Sequence, residues 1–227
     1  MSSPLSPGTW VAALGREIKR EWGLHQLKDE RFRYLWAPPP ADEWVVFDCE
    51  TTGLDPAVDR ITAIAAVRIQ GSKLLTSERL ELTVLHDPEA VVPQTQAAHP
   101  DAQDERHFPS KNMTIEAALQ QLLPFVGSRP LVGYFLDFDL ALINRAALPC
   151  LGVPLPLQRL DVSAMFYDWK FRQWPAYPQP AGARTDLRFA TLMRELGLPE
   201  RPTPSALDNA VLAGLAFIKL RRLLGFA

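Results

Sequence analysis

The chain has 227 residues with 24 Lys/Arg against 26 Asp/Glu, 47% hydrophobic and 22% charged, for a net charge of −2. That composition supports a packed core and excludes general disorder, and the near-neutral balance excludes a broadly basic protein that coats nucleic acid. No apolar run approaches the roughly 20 residues a membrane span needs, MSSPLSPGTW lacks a secretory pattern, and Cys49 and Cys150 are too few for a disulfide framework or a cysteine zinc site. A reducing cytoplasm is the expected location.

The segment Trp10–Trp22 places Trp10, Val11, Leu14, Ile18 and Trp22 at helical spacing on one face. Phe32, Tyr34, Leu35 and Trp36 follow, and Pro38-Pro39-Pro40 stops any helix and reads as an extended linker. Residues 1–40 are therefore expected to form an accessory helical arm, and residues 41–227 the main domain. Trp44-Val45-Val46-Phe47 has the continuous apolar character of a buried central strand. Thr51–Asp59 is rich in turn formers. Ile61–Ile69 and Leu74–Leu85 read as two further strands joined at Gln70-Gly71-Ser72. Residues 86–112 are irregular. A helix begins at Thr114, a short strand covers Leu131–Tyr134, and a helix covers Asp139–Leu148. Leu160-Asp161-Val162 reads as an edge strand, residues 172–184 as a proline-rich loop, and Asp186–Leu196 and Ser205–Leu224 as closing helices. The order predicts an α/β domain with a mixed sheet whose first three strands form a meander.

The charge is unevenly spread: residues 37–128 hold six Lys/Arg against fourteen Asp/Glu, and residues 129–227 hold twelve against eight. An acidic block of this kind is either a solvated face or a set of carboxylates gathered around cations. Asp48-Cys49-Glu50-Thr51-Thr52-Gly53-Leu54 follows the apolar strand directly. Side chains two apart on a strand share a face, so Asp48 and Glu50 present adjacent carboxylates. Like charges this close repel unless a cation separates them, and hard oxygen donors suit Mg²⁺ or Mn²⁺. On its own an Asp-x-Glu pair reads as a solvated strand end. A second feature, Gly133-Tyr134-Phe135-Leu136-Asp137-Phe138-Asp139-Leu140, carries a strand into a helix. Asp137 or Asp139 at that point reads equally well as a cap of the helix N-terminus.

Together the two segments resemble the DEDD (DnaQ-like) 3′→5′ exonucleases, typified by the proofreading epsilon subunit of bacterial DNA polymerase III and by ribonuclease T. The family's first motif, Asp-x-Glu-Thr-Thr-Gly-Leu after a buried strand, is matched throughout residues 48–54, and its second ends in Phe-Asp-Leu, matched by Phe138-Asp139-Leu140. The resemblance covers about residues 44–224. It implies a ribonuclease H-like α/β fold and two Mg²⁺ or Mn²⁺ ions held by four acids at the 3′-terminal phosphodiester. It assigns metal ligation and catalysis to Asp48, Glu50 and Asp139, with Glu50 also orienting water or the strand end. Contacts to substrate fall to Thr51, Thr52, Gly53, Leu54 and Phe138.

Two places depart from the pattern. Tyr134 and Phe135 stand where the family has His-Asn after the glycine. In the last helix Pro204-Ser205-Ala206-Leu207-Asp208-Asn209-Ala210 aligns through Ala206-Leu207 and Ala210, so Pro204 replaces the general-base His and Asn209 the fourth acid. Asp208 keeps a charge one position earlier, about 100° around the helix. The fourth ligand is thus Asp208, if the helix shifts, or Asn209. His25, His86, His99 and His107 all precede the second motif. Thr203-Pro204 also reads simply as a helix start, Thr as N-cap and Pro at the first position.

Among lesser features, Gln121–Phe125 faintly resembles a sliding-clamp-binding pentapeptide, but its apolar residues sit at core spacing in a helix. Trp169, Trp174 and Tyr177 with Lys170, Arg172 and Arg184 offer stacking and charge for a single strand, or pack on themselves. The expected function is metal-dependent 3′→5′ hydrolysis of single-stranded nucleic-acid ends, DNA first, slowed by the third motif and with a replication or repair partner in view. The alternative is an impaired exonuclease-fold module that binds nucleic acid or a protein. Gly-x-Ser-x-Gly and Gly-x-Gly-x-x-Gly are both absent.

Overall fold

β1 (Glu43–Thr51) contains the apolar run, and Val45, Val46 and Phe47 are all buried. Successive strand side chains leave on opposite faces. Val45 and Phe47 therefore enter one hydrophobic cluster and Val46 enters another. β2 (Ile61–Gln70) and β3 (Lys73–Val84) extend from β1 as the expected antiparallel meander. β4 (Asn112–Met113), β5 (Leu131–Gly133) and β6 (Arg159–Asp161) complete a six-stranded mixed sheet in the order β4-β3-β2-β1-β5-β6. β5 runs parallel to β1, β6 parallel to β5, and β4 parallel to β3. This computed structural model describes residues 7–85, 112–173, 185–201 and 205–226.

Helices cover both faces. α2 (Ile115–Val126) and α3 (Leu136–Leu151) feed the cluster of Val45 and Phe47. α4 (Val162–Gln173), α5 (Phe189–Glu195) and α6 (Ala206–Leu224) feed that of Val46. Leu122 and Leu123 of the clamp-like pentapeptide are buried there in α2, so core packing accounts for them.

Several expected boundaries move. α3 starts at Leu136, not Asp139, because Asp161 Oδ2 accepts the Leu136 N–H at 2.8 Å and supplies the first turn from outside. Neither Asp137 nor Asp139 caps it: Asp137 pairs with Arg159 at 3.0 Å and Asp139 is buried. The edge strand ends at Asp161 because Val162 opens α4, a helix missed by periodicity. Its buried Val162 and Phe166 coexist with exposed Tyr167 and Phe171, so no single apolar stripe marks it. α5 begins at Phe189 rather than Asp186, whose carboxylate accepts the Arg188 N–H and the Thr191 hydroxyl before the helix starts.

In the N-terminal segment, α1 (Pro7–Gln26) is longer than expected. Ile18 and Trp22, predicted on its apolar face, are 61% and 60% exposed, and the side chains of Trp10, Val11 and Leu14 lie outside the described residues. The contact with the sheet falls instead to Leu27 and to a 3₁₀ helix, Glu30–Trp36, whose Phe32, Leu35 and Trp36 are buried in the main core. Arg20 Nε donates to Trp36 O at 3.2 Å and ties α1 to that turn.

α6 crosses the sheet at its most crowded point. A Cβ on Gly214 would sit 2.8 Å from Leu74 Cδ1 and 3.1 Å from Val46 Cγ1, so a larger residue there would force these side chains to move. Overpacking a core of this density costs about 1–3 kcal/mol. Gly214→Val is expected to lower the melting temperature by several degrees in differential scanning fluorimetry, and an unchanged value would show that α6 lies farther from β1.

Candidate active site

The C-terminal ends of the parallel neighbours β1 and β5 open onto one crevice, the position where open α/β sheets bind ligands. A cavity of about 600 Å³ there is lined by Asp48, Cys49, Thr51, Leu54, Tyr134, Phe135, Asp137, Phe138, Asp139, Asp161 and Asn209. Asp48 follows Val46 on the α6-facing side of β1, and Asp139 projects from the first turn of α3 and is 5% exposed.

Two acids so placed resist ionisation. Burial pushes the Asp48 carboxyl up to about 7; the Asn209 amide lowers it and the charge of Glu50 raises it. Burial, then the charges of Asp48 and Asp161, push Asp139 up to about 8. The Cys49 thiol between them is driven well above its ordinary value, by burial first and then by Asp139 and Asp48, which makes it an inert wall rather than a nucleophile.

Glu50 and the third-motif segment meet at the start of α6. Glu50 Oε1 accepts the N–H of Ala206 at 2.9 Å, at the first turn of α6, and its charge acts on the Asp48 carboxyl. That helix starts from Ser205, whose hydroxyl accepts the Asp208 N–H at 3.2 Å while the Asp208 carboxylate accepts the Ser205 N–H. This capping box replaces the expected Thr203 cap. Asp208 also pairs with Arg201 at 3.2 Å, so it is occupied at the helix start and stays out of the crevice. Asn209 is the residue facing Asp48, its Nδ2 donating to Asp48 Oδ2 at 3.3 Å. Asn209 thus meets Asp48 with a neutral amide rather than a carboxylate. Among the described residues no three His, Cys, Asp or Glu side chains form a ready metal-binding group. Asp48 and Asp139, two mutually repelling oxygen donors on one cavity, still suit a single hard divalent cation.

The Thr-Thr-Gly turn is organised by Asp59. Thr52 Oγ1 donates to Asp59 Oδ1 and the Asp55 N–H to Asp59 Oδ2, both at 2.8 Å. The Asp55 amide first, then the Thr52 hydroxyl, hold the Asp59 carboxyl below its ordinary value. Gly53 is required because a Cβ would lie 2.6 Å from Asp59 Oδ2. Thr51 Oγ1 donates to Gly53 O at 2.6 Å, so both threonine hydroxyls are used inside the turn. Arg145 of α3 donates to the carbonyls of Pro56 and Asp59 and fastens the turn to the helix bearing Asp139. Leu54 is left 89% exposed at the cavity, and Phe138 is partly buried against the core.

Asp161 was legible only as part of an edge strand. It holds the start of α3 through Leu136 and, through Oδ1, accepts from the Ser163 amide at 2.7 Å and the Ser163 hydroxyl. The available signal was an Asp just before a new helix, the usual N-cap preference. Of the aromatic-basic cluster, the described members make contacts within the fold: Lys170 pairs with Glu195 at 2.7 Å, Arg172 donates to Leu224 O, and Trp169 packs against the core. Trp174, Tyr177, Arg184, Thr203, Pro204, His86, His99 and His107 lie outside the described residues.

The raised acids have a thermodynamic consequence. Their folded-state values, about 7 and about 8, lie above the ordinary carboxylate value of 3.8, so the folded state holds protons that the unfolded state has released. Their contribution is fully present below pH 3.8 and is lost as pH rises through 7 and 8. In a chelator, the metal-free protein should lose more melting temperature between pH 5 and pH 9 than Asp139→Asn does. Parallel pH profiles for the two would contradict the shift.

Comparison with known proteins places this geometry. The RNase_T exonuclease family model matches residues 45–209, from the start of β1 to the residue that faces Asp48. The oligoribonuclease of Rhodococcus jostii is 27% identical over 194 residues, covering 74% of this chain and 94% of the relative. The PolC-type DNA polymerase III of Clostridium perfringens is 29% identical over 104 residues, 46% of this chain and 7% of that protein. Among solved structures, Escherichia coli Exonuclease I in complex with a dT13 oligonucleotide superposes with a TM-score of 0.58 at 18% identity over 82% of this chain and 43% of that one. Exonuclease I from Methylocaldum szegediense gives 0.56 at 18% identity, over 81% and 42%. The chain spans less than half the length of these Exonuclease I chains, and the likeness establishes the expected ribonuclease H-like fold. With its first and second motifs on the two elements that carry Asp48 and Asp139, the chain belongs to the RNase_T exonuclease family, of the DEDD, DnaQ-like type.

Proposed function

We propose that the protein is a divalent-metal-dependent 3′→5′ exonuclease acting on single-stranded nucleic-acid ends, with a rate limited by its third motif. The observation that carries this is the burial of Asp48 and Asp139 together on one crevice, in a chain of the exonuclease family. Asp48 and Asp139 would hold Mg²⁺ or Mn²⁺. When bound, the cation supplies a water of lowered pKa and charge stabilisation at the leaving 3′ oxygen. Glu50, fixed against the first turn of α6, places its carboxylate on the same face of β1 as Asp48, suited to orienting that water or the terminal sugar. Leu54 and Phe138 wall the crevice where the last nucleotide would enter. The relatives support a single-stranded substrate: one is named an oligoribonuclease and another is seen with a dT13 oligonucleotide.

One observation favours a second reading, a binding module with lost or weak turnover. Asn209 offers an amide, not a carboxylate, to Asp48, which leaves a second cation short of a ligand. Among the described residues the only histidine is His25, in the last turn of α1, and none stands at the crevice as a general base.

A 5′-labelled oligonucleotide assay separates the two. The exonuclease reading expects stepwise shortening in Mn²⁺ or Mg²⁺, abolished by chelator and by Asp48→Asn or Asp139→Asn. Retention of full-length substrate by a protein that still binds it would establish the binding module.

The cation should also raise the melting temperature, through linkage of binding to folding, and less so in Asp48→Asn. Calorimetry detecting no metal binding at millimolar concentration would remove the nuclease reading.

Restoring the third motif tests the cause of the slow rate. Pro204→His with Asn209→Asp should raise turnover by about 10²–10⁴. Asp208→Ala should cost about 1 kcal/mol of stability through its capping box and leave turnover unchanged. Loss of activity in Asp208→Ala would mean that Asp208 is the fourth ligand after all.

A further inference from the structure

Phe135 occupies a position that its backbone disfavours. As the residue preceding α3 it has φ 49° and ψ 44°, the left-handed region, where among the described residues only Asp42 joins it as a non-glycine. A Cβ is penalised there, and Gly or Asn adopts that conformation more readily. A ring at this site is also not serving the core, because Phe135 is 51% exposed. It lines the crevice with Asp48 and Asp139.

The ring is braced from behind. The Tyr134 ring lies between Phe135, at 4.5 Å between centroids, and Phe189 of α5, at 4.7 Å. The Tyr134 hydroxyl donates to Leu187 O at 2.8 Å, which fixes that ring in turn. On the other side, Leu136 is held by Asp161 at 2.8 Å. A half-open aromatic face, rigidly backed and beside two acids suited to a cation and its phosphate, has the form of a stacking platform. Every nucleobase offers a π-face, so such a platform accepts any sequence but requires a base.

We propose that Phe135, braced by Tyr134 and Phe189, stacks on a base within the last two nucleotides of a single-stranded 3′ end, positioning the terminal phosphodiester at Asp48 and Asp139. This deepens the exonuclease reading and rests on it. Phe135 takes the role of a substrate-positioning residue, supplied by the Tyr134-Phe135 pair that departs from the family pattern.

The test is equilibrium binding by fluorescence anisotropy, using the full chain with Ca²⁺ in place of the catalytic ion. The probes are a 5′-fluorescein oligothymidylate and the same strand abasic at its last two 3′ positions. The wild-type protein should bind the intact strand about 5- to 150-fold more tightly than the abasic one, the span expected for one stacked base. Phe135→Ala should lose that same factor on the intact strand and almost none on the abasic strand. Phe135→Trp should retain the preference. A Phe135→Ala loss equal on both strands, or a wild-type protein indifferent to the missing bases, would overturn the platform while leaving the nuclease reading intact. A wild-type protein binding neither strand would overturn both.

Discussion

Burying Asp48 and Asp139 beside one another is unfavourable, and the neighbouring structure can be read as the means by which the fold tolerates it. Each acid loses hydration, and neighbouring charge adds to the cost: Glu50 acts on Asp48, and Asp48 and Asp161 act on Asp139. The fold keeps them there because neither is free to leave. Asp48 follows three buried residues on the central strand, and Asp139 sits one turn into a helix whose start is held by Asp161. Asp59 and Arg145 join the turn after β1 to α3, so the two acid-bearing elements are linked on a second side. A divalent cation between the acids would turn that repulsion into attraction, the usual relation between a strained carboxylate pair and its ion.

α6 decides which side chain faces Asp48. Its first turn meets β1 through Glu50 and Ala206, and Gly214 lets its middle lie flat on the sheet. With both ends of the approach fixed, the helix has no freedom to rotate by the roughly 100° that separates adjacent residues. The capping box then commits Asp208 to Ser205 and leaves Asn209 as the side chain facing Asp48. The neutral side chain that faces Asp48 is therefore a property of one residue in a helix whose placing is fixed elsewhere. The same rigidity explains why a neutral amide is tolerated there: its N–H donates to an acid that would otherwise stand unpaired beside α6.

Aromatic residues divide between core and crevice in a way that composition does not foretell. Phe166 and Phe217 are fully buried beneath α4 and α6, and Trp44 packs edge-on to Phe217 with the Arg221 guanidinium 4.0 Å from its ring centre. The Tyr134 and Phe189 rings meet at a tilt of 52° beside the crevice, and Phe135 lines it. Lys170 and Arg172, near Trp169, contact Glu195 and the carbonyl of Leu224 on neighbouring helices.

Much of this was written along the chain. A continuous apolar run marks a strand covered on both faces, so β1 and the meander after it were legible, as was the exonuclease family through the motif that follows. The register of the last helix through Ala206-Leu207 and Ala210 was legible too, and in the structure Asn209 is the side chain that meets Asp48. α4 was hidden by apolar residues on several of its sides. The exposure of Ile18 and Trp22 was equally hidden, since an apolar helical face says nothing about whether a partner surface is near. Asp208 and Asn209 differ by a single step in sequence, and only the hydrogen bonds of α6 to β1 and to its own first turn decide which one meets Asp48. Asp161 acquires its place by contacts across 25 residues, and Phe135 by a left-handed backbone at a helix start. Local pattern determined the elements and the chemistry available to them; which side chains share the crevice, and how far burial moves their protons, depended on long-range packing that no local pattern contains.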